Sequence, residues 1–266
     1  EFVDAVEGWR RKGHLESWKT KLGVYEEGQL RARPPSREER FVGTPTSRAL
    51  LRGMAEGLDL RQGAEIARLE SIAGQRFRLW TAEGEEVGTF ARVAVTAPAP
   101  QAARLLATSA PELAARVAEV RFLPTWAVLL TLSESVEVPF GGIFVNEGPL
   151  SWIARENTKP GRGAVERFVL HASSAWSAEH LEWLPEEVVE VLTAAFRRVI
   201  ERPSLDPETA AAHRWRFARP AHPLDANYLE DYGGRLLCGG DWTGGGGRVE
   251  SAWRAGRAMA ARWGGA

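Results

Sequence analysis

Apolar residues recur along this chain in two rhythms, one helical and one alternating. Phe2, Val3, Val6 and Trp9 fall at helical spacing and Gly13 follows as a stop, which predicts a short helix within residues 1–18. Residues 23–42 are polar, with Pro34-Pro35 and a charged run from Arg37 to Arg40, and read as a loop or crossing segment. Thr46 and Ser47 can cap a helix whose apolar positions are Leu50, Leu51, Met54, Ala55 and Leu58. Ala64 to Ile72 reads as a strand. Arg76–Trp80 and Thr89–Val95 read as a hairpin joined through Glu83-Gly84. Beyond Pro98, one helix carries Ala102, Leu105 and Leu106 on a face. A second runs from Pro111 through Leu113, Val117 and Val120, with proline suited to its first turn.

Trp126 to Leu132 is a continuous apolar run and predicts a buried strand; Gly142–Val145, Leu150–Ala154, Arg167–His171 and His213–Phe217 are further strands. A helix begins at Pro185. Glu186 and Glu187 in its first turn complement the helix dipole, and Val188, Val191, Leu192, Ala195, Phe196 and Val199 form its core face. The last helix places Val249, Ala252, Trp253, Gly256, Met259, Ala260 and Trp263 on one apolar face, with Arg254, Arg257 and Arg262 on the wetter side. Glycine in a helix costs about 1 kcal/mol against alanine, so Gly256 on that face predicts close approach to a strand or another helix.

The 266 residues suffice for one large domain or two interleaved ones. With 44% hydrophobic and 26% charged residues the chain reads as an ordinary soluble globular protein. A net charge of −1 provides no global field for nucleic acid or anionic membrane. No run has the length of a membrane span and no signal peptide opens the chain, so a cytoplasmic protein is expected. The single cysteine, Cys238, lies in an apolar run and reads as a buried small hydrophobe; it excludes a disulfide framework and a Cys-rich metal site. No histidine pair has metal-ligand spacing. Only four of the 34 basic residues are lysine, a bias of genome composition. The eleven tryptophans are mostly core, yet aromatic walls also suit a flat ring ligand.

The most informative stretch runs from Leu236 through Gly239-Gly240-Asp241-Trp242-Thr243 and four glycines to Arg248-Val249-Glu250. It predicts strand, glycine loop and helix, an order that suits a dinucleotide. The G-x-G-x-x-G fingerprint is absent from the whole chain. Gly245–Glu250 comes closest but ends in a carboxylate that would repel a pyrophosphate, so this loop is not the primary pyrophosphate cradle. Two readings stay open. The stretch is a plain turn with Asp241 as a local cap, or the unpaired N–H groups of the last helix and the Asp241 carboxylate bind a ligand.

Gly240-Asp241-Trp242 followed by Gly247-Arg248-Val249-Glu250-Ser251-Ala252 and Gly256 resembles the C-terminal motif of FAD-dependent amine-oxidase-type flavoproteins, in particular the bacterial renalase-like subgroup. Four further stretches resemble that subgroup in order: Phe41–Pro45, Ala97–Ala102, Leu150–Arg155 running to Lys159–Arg162, and His213–Ala218. The resemblance implies an α/β fold, an FAD/NAD(P)-binding Rossmann-like half with an interleaved mixed-sheet α+β substrate half. The halves would be 41–100 with 230–266 for FAD, and 1–40 with 101–229 for substrate. It implies that Asp241 contacts the FAD ribityl chain, flanked by Gly240 and Trp242, that the backbone from Arg248 and Val249 through Glu250 to Ala252 meets the flavin, that Ile66 lies near the adenine, and that Thr96, Ala97 and Pro98 lie near the pyrophosphate. The family's N-terminal strand–glycine loop–helix is not found here, so the chain is expected to be a fragment of an FAD protein.

On the substrate side the resemblance implies contacts from Trp152, Arg155, Asn157 and Arg162 on one loop, beside Lys159, and from His213 and Trp215 on a second stretch. It further implies a small-molecule substrate, a misreduced dihydronicotinamide dinucleotide isomer oxidised to NAD(P)+ with electrons passed to oxygen. A true amine is the alternative substrate. A remnant without cofactor or catalysis is the alternative of another class. His171 reads as a strand residue with a satisfied hydrogen bond.

Overall fold

The computed structural model describes residues 1–35, 38–74 and 76–264. In chain order the elements are α1 (Phe2–Arg11), β1 (Leu15–Ser17), β2 (Leu22–Glu26), β3 (Gln29–Ala32), β4 (Phe41–Gly43), α2 (Arg48–Met54), β5 (Ile66–Ile72), β6 (Arg76–Thr81), β7 (Glu86–Phe90) and β8 (Val93–Val95). There follow α3 (Ala99–Leu106), α4 (Pro111–Ala118), β9 (Phe122–Thr131), β10 (Gly142–Val145), β11 (Leu150–Arg155), β12 (Arg167–Ala172), α5 (Ser174–Glu179) and α6 (Pro185–Val199). The chain closes with β13 (Thr209–Pro220), β14 (Leu229–Asp231), β15 (Leu236–Cys238) and α7 (Val249–Arg262).

Two compact units share the chain. The first takes Val3–Leu58 and Pro124–Arg216, the second Asp59–Leu123 and Phe217–Ala266. The division falls inside β9 and β13, and it runs differently from the expected halves: residues 41–58 pack with the first unit and 101–123 with the second.

The first unit is built on a seven-stranded mixed sheet in the order β13-β9-β12-β11-β10-β2-β3. Alternation along its strands sends Val128 and Leu130 of β9, Ile143, Ile153, and Phe168 and Leu170 of β12 to one face. There they meet Val188, Leu192, Phe196 and Val199 of α6. Burying each such side chain contributes about 1.5–3 kcal/mol. Glu187 accepts a hydrogen bond from the Leu184 N–H at 2.8 Å, which closes the start of α6.

The second unit carries a small sheet, β14-β15-β8, with β15 and β8 parallel, and a β5-β6-β7 meander. Its core joins Leu69 and Phe77 of the meander to Ala102, Leu106, Leu113 and Val117 of α3 and α4, and to Leu236, Cys238 and Trp242.

Several expectations are corrected. Residues 23–42 are not an open loop: β2 and β3 form a hairpin through Glu27-Gly28, both with positive φ (51° and 71°). That two-residue turn is a hairpin signal the polar composition hid. Arg37, within the predicted charged run, lies outside the described residues. The helix of residues 1–18 stops at Arg11, and Leu15–Ser17 pairs with Phe41–Gly43 instead. The Thr89–Val95 segment splits, because β8 leaves the β6–β7 hairpin to pair with β15. The apolar stripe of α7 also divides. Ser251, Ala255 and Met259 are buried, with Ala255 and Met259 packed on Leu237, while Val249 is 61% exposed and Ala252 and Gly256 are exposed. A Cβ at Gly256 would meet nothing within 4 Å, so this glycine opens onto a cleft rather than packing closely.

Candidate functional site

In the second unit the parallel pair β8–β15 releases two loops side by side at its C-terminal end, Thr96–Ala97 and Gly239–Asp241. Ligands of α/β sheets bind at this end of parallel strands. Trp242 fixes the junction: it is fully buried and its indole N–H donates to the Ala97 carbonyl at 3.1 Å. The Thr243 hydroxyl donates to the Asn227 and Gly240 carbonyls. The chain then turns through Gly244–Gly247, all at positive φ (60°, 90°, 53° and 74°), and the Gly247 N–H donates to the Asp241 carbonyl at 2.5 Å. A Cβ at Gly246 would sit 2.2 Å from the Pro223 ring, so this position excludes side chains on both counts.

A cleft of about 640 Å3 opens there, lined by Thr96, Gly240, Asp241, Gly247, Arg248, Val249, Ala252, Gly256 and Met259. Helix α7 begins at its rim without a side-chain cap. Among the described residues the N–H groups of Val249, Glu250 and Ser251 meet no acceptor; Ala252 is the first to bond, to the Arg248 carbonyl at 3.2 Å. The half-buried Asp241 carboxylate finds no donor on any other described residue, and burial pushes its pKa above the ordinary carboxylate value. A carboxylate bonded only to its own backbone N–H, beside orphaned helix donors and the Arg248 cation, fits a ligand with hydroxyl groups and negative charge.

Of the expected cofactor contacts, Gly240, Asp241, Arg248, Val249 and Ala252 line this cleft. Five do not. Trp242 lies behind it in the core, held by the carbonyl of Ala97, which does not line the cleft either. Pro98 is the N-cap of α3. Glu250 pairs with Arg254 one turn on and borders a neighbouring polar cleft with Arg219. Ile66 opens β5 opposite Thr81. Thr96, expected near the pyrophosphate, also lines the cleft, whereas Gly247 and Met259 were not expected as lining residues; the Gly256 signal was visible in the sequence but read as packing.

In the first unit the second face of the seven-stranded sheet carries a different chemistry. Phe144, Trp152, His171 and Ala127 stand in register across β10, β11, β12 and β9. On β13, Ala212 packs into the core and Arg214 lies over the Trp126 ring at 5.4 Å, so alternation turns His213 and Trp215 to this same second face. Their rings touch at 4.5 Å and Trp215 is 54% exposed. Trp152 packs edge-on to Phe144 at 4.7 Å, in space that Gly142 leaves: a Cβ there would lie 2.3 Å from the indole.

Trp152 apart, the expected loop contacts are tied into the fold rather than offered to this row. Arg155 donates to both Glu166 oxygens at 2.6 Å and to the Val138 carbonyl at 2.8 Å, a paired and nearly buried cation. Arg162 donates to the Pro45 carbonyl and the Ser47 hydroxyl and pairs with Glu156. Asn157 has a buried Oδ1 without a described partner. Lys159 pairs with Glu156 and lies 5.3 Å over the Trp18 ring. Sequence brought these residues together by proximity; the fold uses Arg155 and Arg162 as latches. The structure instead gathers Trp152, His213 and Trp215, and adds His171. Contrary to expectation, the His171 ring has no hydrogen-bond partner among the described residues. The signal was its place between Leu170 and Ala172 in an alternating strand.

Neither unit holds a cluster of three or more His, Cys, Asp or Glu residues placed for a metal among the described residues, and no helix there is long and apolar enough to cross a membrane.

This mixed α/β architecture is that of flavoenzyme oxidases. A crystal structure from an Exiguobacterium species, assigned as a protoporphyrinogen oxidase, matches with a TM-score of 0.64 at 16% identity over 85% of this chain and 52% of that one. Cyclohexylamine oxidase from Brevibacterium oxydans matches with a TM-score of 0.57 at 16% identity over 74% of this chain and 47% of that one. The chain thus spans about half the length of these proteins. The sequence model of the flavin-containing amine oxidoreductases matches residues 17–262, and the chain belongs to that family.

Proposed function

We propose that the second unit supplies FAD contacts and the first unit substrate contacts in a renalase-like oxidase of misreduced dihydronicotinamide dinucleotides. The observation that carries the cofactor assignment is the half-buried Asp241 carboxylate, met only by its own backbone N–H, beside the uncapped start of α7. Asp241 would accept hydrogen bonds from the ribityl hydroxyls. The α7 N–H groups and Arg248 would favour an electron-rich ligand edge. FAD, when bound, supplies the hydride-accepting chemistry. The protein's part is to bind and orient, and no side-chain nucleophile is required.

On the substrate side Trp152 and Trp215 offer aromatic surface to a planar ring. Glu156 is the carboxylate whose charge acts on His171 in this row, and it is already paired with Lys159 and Arg162. A ring without an ammonium group is therefore favoured over an alkylamine.

The test is a visible spectrum of the chain after incubation with FAD and removal of excess ligand, followed by anaerobic mixing with dihydronicotinamide isomers and, separately, with cyclohexylamine. Retained flavin bands bleached by the isomers support the reading. Bleaching by the amine alone makes this an amine oxidase, and a colourless protein removes the cofactor assignment for this chain.

A further inference from the structure

We propose that His171 is a specificity-determining contact of the substrate face, an imidazole that hydrogen-bonds the amide-like edge of a planar, uncharged ring. This rests on reading the first unit as the substrate half and names the chemical class that half selects.

Four observations lead there. Strand β12 buries Phe168, Leu170 and Ala172 against α6 and turns His171 to the opposite face. On that face His171 has Trp152 as its neighbour on β11 and Ala127 on β9, and β13, beyond β9, brings His213 and Trp215 to the same side. The ring is half-buried, yet no described residue hydrogen-bonds either nitrogen. The ring is partly exposed on this face, so its donor and its acceptor are both open to a ligand. Finally, the charges acting on His171 among the described residues are Lys159 and Glu156. Glu156 is held by Lys159 and Arg162, so the carboxylate that acts on His171 is already paired and is not free to receive an ammonium ion.

A neutral imidazole presents one donor and one acceptor. An alkylammonium offers donors alone and adds a positive charge close to Lys159. A carboxamide or lactam edge offers both a donor and an acceptor, and its ring can rest on Trp152. Burial, with Lys159 reinforcing it, lowers the His171 pKa from its ordinary value and so keeps the ring in this two-sided state.

The experiment uses the whole chain labelled at the histidine Cε1 position, which gives five resonances for its five histidines. His171→Asn assigns the signal by its loss. Nicotinamide and cyclohexylammonium are titrated as probes. The expected result is a saturable shift of the His171 signal with nicotinamide and none with cyclohexylammonium. His171→Ala should weaken nicotinamide binding about fivefold, the usual worth of one hydrogen bond, and His171→Asn or His171→Gln should recover most of it. A merely structural histidine would change the melting temperature in these variants and leave the nicotinamide Kd in place. An unchanged Kd in His171→Ala, equal competition by cyclohexylammonium, or no saturable shift up to the solubility limit overturns the proposal. Flavin bleaching measured in parallel separates the two claims. Bleaching by dihydronicotinamide isomers with an unmoved His171 signal sinks this inference alone. A shifted His171 signal with flavin that is never reduced supports it and sinks the proposed reaction.

Discussion

Arg155 and Glu166 face each other in a two-pronged ion pair, both bonds 2.6 Å long, with Glu166 only 6% exposed. A third guanidinium donor goes to the Val138 carbonyl. Removing one partner of such a pair leaves an uncompensated charge, which costs about 3 kcal/mol or more. Glu166→Gln should therefore lower the denaturation midpoint clearly, by about that amount. The double variant Arg155→Met with Glu166→Leu should recover much of the loss. Urea denaturation followed by circular dichroism reads both; a Glu166→Gln chain as stable as the parent would show that the pair is not a latch.

Asp241 makes the opposite prediction about stability. Its folded pKa lies above the unfolded value because burial penalises the charged form. Such a group favours folding when protonated, and that contribution is lost as pH rises from the ordinary carboxylate range through the raised pKa. Asp241→Asn should thus raise the melting temperature of the cofactor-free chain at neutral pH and flatten this part of the pH profile. The same variant should retain less FAD after gel filtration. An Asp241→Asn chain that melts lower and binds flavin as before would refute both halves.

His171 titrates with the other sign. Burial and Lys159 depress its pKa, against a smaller opposing effect of Glu156. Its contribution to stability is therefore complete above the ordinary histidine value, about 6.5, and is lost as pH falls through the depressed folded pKa. Thermal melts from neutral to mildly acidic pH should show a steeper loss for the parent than for His171→Asn. Parallel curves would mean that folding leaves the proton affinity of the ring unchanged and that burial does not depress it.

Gly142→Ala tests the aromatic row. The new methyl group would lie 2.3 Å from the Trp152 indole, which Phe144 braces at 4.7 Å. Overpacking of this kind costs about 1–3 kcal/mol. Lower stability should come with a weaker nicotinamide response, because Trp152 must move. Gly246→Ala, in the other unit, should destabilise through positive φ and the Pro223 contact and leave nicotinamide binding unchanged.

The sequence by itself determined the elements with strong local signals. The α6 face from Val188 to Val199, the bounds of β10, and the start of α4 at Pro111 all follow from periodicity and proline placement. So did the strand–glycine loop–helix order and the place of Asp241 at its turn, since helix donors and glycine backbone act within a few residues. What the tertiary structure decided is which groups meet. Arg155 looked like a ligand contact until Glu166, eleven residues on, was seen to hold it. Trp242 looked like part of the cleft, but Ala97, 145 residues earlier, draws it into the core. Trp152, His171, His213 and Trp215 come from three strands, and only strand order and register place them on one face. Alternation tells which residues share a face within one strand. It carries no information about which strand lies beside it, because that choice is made by non-local hydrogen bonds and by the burial of the opposite face against α6.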